Sequence, residues 1–304
     1  MTMESNLDLL QNNVEKHREA AAVPQTTVQN DNSVFIGEAL NDDEKLNLLM
    51  TDTKPYITIL VGFEEYGKTS FVATCYHIML TDGGIGEYKF CDSDTLVGLE
   101  RRSFMRRFNA AMESVPPSTK RTIRGEAHLL TFHLSKDGNE KITIFSDHSG
   151  EDYRKYANHK DEIKNDVLIQ NADRILFFVD IPSLLDTRFL RMMQDYKNLL
   201  SNMKSADIFR PQTKITLLFN KIDIINEDAT KERYEEKKKV LIPIFRSIIG
   251  INEIETIELT SNNIDKSDDL KSLLQDIAQS DSIQTWIDNN ESDLDWVKKF
   301  IKEQ

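Results

Sequence analysis

Apolar and polar positions along the chain fall into alternating strand-sized and helix-sized stretches. Residues 56–61 are a β-branched apolar run, and residues 69–80 follow with helical spacing. Residues 127–134 and 141–145 read as two strands joined by a turn at 136–139, where Asp137 and Gly138 form a hairpin signal. Residues 152–170 are charged and helical, 174–179 read as a buried strand, and 184–203 as one long helix. A strand over 214–219 precedes a helix over 229–249, which Pro243 is expected to kink or break. Residues 254–259 form the last strand and 268–278 the final helix. This alternation predicts an α/β fold with a mostly parallel six-stranded sheet, helices on both faces and one antiparallel strand. Ligands of such sheets bind at the carboxyl ends of the strands.

The flanks read differently. Residues 1–52 form an N-terminal arm, with one helix expected over 6–22, a polar linker over 24–32 and a short helix over 44–50. Residues 53–280 form the main domain, with an insert at 99–124. Residues 281–304 form a helical extension whose apolar positions include Trp286, Leu294, Trp296 and Phe300. Composition narrows the picture. A net charge of −13 with pI near 5.0 argues against a general nucleic-acid binder, because phosphate contacts need Lys and Arg. Two cysteines, Cys75 and Cys91, make neither a disulfide framework nor a zinc site. The start of the chain lacks a basic segment followed by an apolar run, and the longest apolar runs are strand-sized, so a cytoplasmic protein with no membrane span is expected.

The chemistry concentrates at strand ends. Gly62, Phe63, Glu64, Glu65, Tyr66, Gly67, Lys68 and Thr69 match G-x-x-x-x-G-K-[ST] between an apolar strand and a helix, with Ser70 next. Glycines let backbone wrap phosphate oxygens, and the helix N-terminus turns free N–H groups toward the anion. Lys68 would contact the β- and γ-phosphates, and Thr69 would offer its hydroxyl to Mg²⁺. Glu64 and Glu65 are unusual beside a triphosphate; their side chains are expected to face outward or toward a basic partner.

Asn220, Lys221, Ile222 and Asp223 form N-K-x-D after the strand at 214–219. An Asp carboxylate accepts two parallel hydrogen bonds from guanine, which adenine cannot supply; Asn220 can brace the loop and the stem of Lys221 can lie over the base. Asp147, His148, Ser149 and Gly150 form D-x-x-G after the strand at 141–145, where an Asp can hold Mg²⁺ and the Gly N–H can meet a γ-phosphate.

These three motifs, in order and in register with the strands, resemble those of P-loop GTPases of the TRAFAC class over most of residues 54–279. The resemblance implies a G domain that binds GTP or GDP with Mg²⁺. It also implies a base contact from the backbone of Ser261, with Asn262 beside it, where Thr260, Ser261 and Asn262 replace the usual Ser-Ala-Lys. Residues 90–98, Arg101, Arg107, residues 128–134 and residues 146–153 look like the bacterial double-GTPase group of conflict and antiviral defence systems. That likeness implies Thr95 as the switch threonine on Mg²⁺, with Thr81 and Thr122 as alternatives. It also implies a companion GTPase or other protein effector as partner; self-association is a further option.

Two departures bear on catalysis. Glu151 stands where a water-orienting Gln is usual, so hydrolysis is expected to be slow or to use His148 or a partner. The insert carries Arg101, Arg102, Arg106 and Arg107, with Lys120, Arg121 and Arg124 at or beyond its end, in an otherwise acidic chain. It reads as a solvated face, as an arginine reaching the γ-phosphate, or as a docking face for an acidic partner or, less favoured, nucleic acid. The expected activity is GTP hydrolysis to GDP; the rival is a non-hydrolysing, GTP-dependent scaffold.

Overall fold

The computed structural model describes residues 37–40, 54–110, 122, 128–261 and 268–282. The helices expected in the arm and the tail, and Asn262, lie outside the described residues. The chain divides into residues Met1–Phe35 and Ile36–Gln304, and the second unit holds every element below.

Two strands buried along their whole length set the centre. These are β1 (Tyr56–Val61) and β6 (Arg174–Asp180), which pair in parallel. Burial on both faces is why their sequences are continuously apolar rather than alternating. After β1 come α1 (Lys68–Asp82), β2 (Gly84–Ile85), β3 (Tyr88–Asp92) and α2 (Leu96–Ala110). Next are β4 (Leu129–Lys136), β5 (Asn139–Ser146), and three short helices, α3 (Gly150–Asn158), α4 (Lys160–Lys164) and α5 (Val167–Gln170). Beyond β6 lie α6 (Ile181–Leu185), α7 (Phe189–Ser205), β7 (Lys214–Asn220), α8 (Asp228–Ile249), β8 (Glu255–Leu259) and α9 (Asp268–Gln279). The described residues form one sheet in the order β2-β3-β4-β5-β1-β6-β7-β8. The β5-β1-β6-β7-β8 side is parallel, and β2, β3 and β4 extend it antiparallel.

The α/β class and the mostly parallel sheet are as expected; the count of six strands is corrected to eight. Strands β2 and β3 are the additions: β2 is only two residues long, though buried, and β3 is only partly covered. The single helix expected over 152–170 is three: the extended backbone of His159 separates α3 from α4, and Asp166 starts α5, its carboxylate accepting from the Ile169 N–H (2.9 Å) and from the Tyr156 hydroxyl (2.7 Å). The long helix expected over 184–203 is interrupted at Asp186, whose extended backbone ends α6; α6 itself starts earlier, capped by Asp180 through the Ser183 N–H (3.0 Å), and α7 starts anew at Phe189. Helix α8, in contrast, runs unbroken through Pro243. Pro243 and Lys239 are both exposed, so the carbonyl that loses its i+4 donor can turn to water.

The register brings the chemistry to one edge. Asp180 lies opposite Asn220, and Asn220 opposite Leu259. The carboxyl ends of β6, β7 and β8 are therefore level, and the segments that follow them face the loop leaving β1. A stretch outside the predicted domain also joins the body. Leu40 forms a two-bond antiparallel bridge with Leu129, and Gly98 N–H donates to Gly37 O (2.9 Å).

Candidate functional site

The loop between β1 and α1 is held by backbone geometry that few side chains permit. Glu65 has φ of +66° and Gly67 φ of +89°. A Cβ on Gly67 would lie 2.2 Å from Asn220 Nδ2, so this position needs glycine for space as well as for conformation. Lys68 is buried, and its ammonium donates to Gly62 O (2.6 Å) and Phe63 O (3.2 Å), inside the ring of the loop. The same ammonium lies 5.5 Å from the centre of the Tyr153 ring. Thr69 and Ser70 open α1 and line the same cleft.

Next to the loop, Asp147 is fully buried and gathers donors. Thr69 Oγ1 lies 3.0 and 3.1 Å from its two carboxylate oxygens, Thr122 Oγ1 donates to Oδ2 at 2.7 Å, and Arg102 Nε donates to Oδ2 at 3.2 Å. A hydroxyl and a carboxylate at this spacing are oxygen donors suited to a hard divalent cation. Among the described residues no three His, Cys, Asp or Glu side chains cluster as a metal site. A cation here would therefore draw its remaining ligands from water and phosphate, as Mg²⁺ does.

Thr122, one of the two alternatives to Thr95, is the threonine that lies beside Thr69 and Asp147. Thr95 is fully buried elsewhere: its hydroxyl accepts from the Thr131 N–H (2.8 Å), its N–H donates to Ser93 Oγ (3.0 Å), and its carbonyl accepts from Leu99 N–H in the first turn of α2. Those bonds tie Thr95 to β4. Thr81 is likewise away from the loop, its hydroxyl returned to His77 O in α1.

Ser149 and Asp152 form a reciprocal capping box at the start of α3, which places Gly150 against the phosphate-type loop. A Cβ on Gly150 would come within 2.2 Å of Glu64 N and 2.5 Å of Phe63 C, so the two segments touch through backbone. His148 lines the cleft but is engaged on its far side. Its Nδ1 meets Ser146 Oγ, its Nε2 lies 2.9 Å from Asp166 Oδ2, and its ring stacks on His128 at 3.7 Å between centroids. Burial alone would raise the Asp166 carboxyl; the facing His148 and its hydrogen bonds outweigh that and hold it well below the usual carboxylate range. Glu151 sits in the first turn of α3 and is not among the residues lining the cleft.

At the other end Asn220 joins three segments. Its Nδ2 donates to Tyr66 O (2.9 Å), and its Oδ1 accepts from the N–H groups of Lys221 (2.9 Å) and Ser261 (3.0 Å) and from Ser261 Oγ (2.8 Å). Thr74 in α1 also donates to Ser261 O. Lys221, with φ of +69°, reaches back so that its ammonium bonds Glu65 O (2.9 Å) and Asp180 Oδ1 (2.7 Å). Asp223 is exposed at the rim, one oxygen steadied by Thr260 Oγ1 (3.1 Å).

The acids of the loop turn away from it. Glu64 takes two bonds from Arg154 Nε (2.8 and 2.6 Å), and the Glu65 side chain is exposed. Tyr66 and Tyr153 are closed in, and burial, with nearby carboxylates, pushes both phenols up. A cleft of about 490 Å³ reaches from Thr69 and Gly150 to Asp223 and Thr260. Arg102 is told from the other insert arginines only by its contact with Asp147, and Asp180, which no motif marks in the chain, by its bond to Lys221. A protein-family model described as Double-GTPase 2 matches residues 57–278. The sequence matches no curated protein.

Proposed function

The chain belongs to the Double-GTPase 2 family, and from that premise we propose that the cleft binds GTP and GDP with Mg²⁺ and hydrolyses GTP to GDP. The observation that carries this reading is the bonding of Asn220. One side chain holds the phosphate-type loop at Tyr66 and the base-type loops at Lys221 and Ser261, so both ends of a nucleotide would meet one rigid frame. Asp223, exposed and steadied by Thr260, would accept from the guanine edge. Backbone N–H groups of residues 64–70 would face the phosphates, with Lys68 turning from its carbonyls to the anion.

Thr69 and Asp147 would hold the metal, which supplies charge neutralisation to the transferring phosphoryl group. Thr122, which also donates to Asp147, would steady that carboxylate. Gly150 against Glu64 lets a change at the phosphate end pass into α3, and a protein effector or companion GTPase would read that change. Likeness to conflict-system double GTPases in residues 146–153 supports such an output. No helix among the described residues is long and apolar enough to cross a membrane. Of the basic insert, Arg101 is exposed and paired with Glu38 and Arg102 is buried, while residues 120, 121 and 124 and the side chains of Arg106 and Arg107 lie outside the described residues.

A second reading, the non-hydrolysing scaffold, is favoured by one observation: Glu151 is not among the residues lining the cleft, and His148 is engaged with Asp166 and Ser146. Single-turnover phosphate release separates the two. GTPase action requires release from wild type and its loss in Lys68→Ala; binding of GTP with no release under any condition supports the scaffold.

A further inference from the structure

The four arginines of the insert helix are indistinguishable in sequence, but the two with described side chains differ in direction. Arg101 is exposed and pairs with Glu38 (2.8 Å). Arg102 is buried: Nε donates to Asp147 Oδ2 (3.2 Å) and Nη1 to Gly98 O (3.2 Å), one turn back on its own helix. Asp147 is the carboxylate that would ligate the metal under the functional reading above, on which this inference rests. A dication on Asp147 and a guanidinium on the same buried oxygen repel one another, and low local polarity sharpens that repulsion. The two therefore compete for Oδ2. The anion that could receive the displaced guanidinium is a terminal phosphate on the Lys68 side of Thr69. Arg suits it, with planar, permanently charged donors.

We propose that Arg102 is a phosphate-contacting residue of the site that alternates with the divalent cation. It holds Asp147 when no cation does, yields the carboxylate to the cation, and turns to the γ-phosphate of a bound triphosphate. The movement is tied to the start of the domain. The Gly98 peptide accepts from Arg102 through its carbonyl and donates to Gly37 through its N–H, so the same turn of α2 carries the arginine and the clasp on residues 37–40. A diphosphate gives Arg102 nothing to turn to, so GDP and GTP should differ in what its removal does.

The test uses full-length protein, a fluorescent GDP and a non-hydrolysable GTP analogue, each titrated with Mg²⁺, for wild type, Arg102→Gln and Arg102→Lys. Removing the competitor should leave the Mg²⁺ requirement of the GDP complex unchanged or lowered. The GTP analogue should bind roughly 10- to 100-fold more weakly to Arg102→Gln, the loss of a charge-assisted hydrogen bond, and single-turnover hydrolysis should fall by about 10³ or more. Arg102→Lys, which keeps the charge, should shift both in the same directions by less, and it serves if the Gln variant does not fold. Weakening of Mg²⁺ binding by the same factor with both nucleotides would mean that Arg102 is a fixed brace, and the exchange is then wrong. So would no change with either. Wild type that binds neither nucleotide overturns the functional reading and this inference together; wild-type binding with no GDP–GTP difference in the variants overturns the inference alone.

Discussion

Asn220 Nδ2 donates to the carbonyl of Tyr66 at 2.9 Å, joining residues 154 positions apart. The same side chain accepts from two N–H groups and a hydroxyl, and it is buried. Asn220→Ala should therefore leave Tyr66 O and Ser261 N–H without their partner, at about 1–3 kcal/mol. Thermal unfolding should fall by roughly 2–4 °C for each kcal/mol lost. Nucleotide affinity should fall further than stability alone explains, because two loops lose their common brace. Calorimetry and nucleotide titration on the same variant check this; an unchanged melting temperature would contradict it.

Gly150→Ala places a methyl where Glu64 N and Phe63 C already stand. Backbone must move, at a cost of about 1–3 kcal/mol for an overpacked site. The expected outcome is a folded protein that binds GDP but discriminates GTP from GDP less well. Parallel titrations with the two nucleotides measure it.

Tyr153 presents the opposite case. Its ring sits beside the Lys68 ammonium, but its buried hydroxyl has no hydrogen-bond partner among the described residues. Tyr153→Phe keeps the ring and removes an unsatisfied polar atom. Stability should be unchanged or slightly raised, and nucleotide affinity retained. A loss of more than about 1 kcal/mol in denaturant unfolding would show that the hydroxyl is in use.

His133 bridges Asp94 (2.7 Å), just before α2, and Glu140 (2.9 Å) in β5. Burial alone would lower the imidazole; the hydrogen bonds and charges of Asp94 and Glu140 outweigh it and hold it above its ordinary value. A group raised on folding contributes stability that is fully present below its unfolded value, about 6.5, and is lost as pH rises through its folded value. Wild-type stability should therefore decline from pH 6 toward alkaline pH by an amount absent in His133→Gln. Melting curves of both proteins across that range test it, and parallel pH profiles would exclude the bridge as the cause.

Much of this arrangement was legible in the chain, for physical reasons. Strands β1 and β6 are buried on both faces, so their apolar runs stand out, and the G-x-x-x-x-G-K-[ST] and N-K-x-D segments follow directly from strand ends. Strand β3 did not stand out: five residues with only Tyr88 and Phe90 partly covered give too short an alternation. Thr95 was drawn into a polar cluster with Ser93 and Thr131, and spacing along the chain carries no record of that capture. Thr122 and Arg102 meet Asp147 through tertiary placement alone. The break at Asp166 comes from a carboxylate that caps the next helix, and those at His159 and Asp186 from single extended residues, choices that helical periodicity does not register.

The central claim is that the cleft selects guanine, and competition binding tests it most directly. A fluorescent GDP is loaded onto wild type and onto Asp223→Asn, then challenged with GTP, ATP and xanthosine triphosphate in the presence of Mg²⁺. GTP should displace the probe from wild type at concentrations where ATP does not. Asp223→Asn should lose that preference and gain one for the xanthine nucleotide. Equal displacement of the probe from wild type by ATP and GTP would contradict the account.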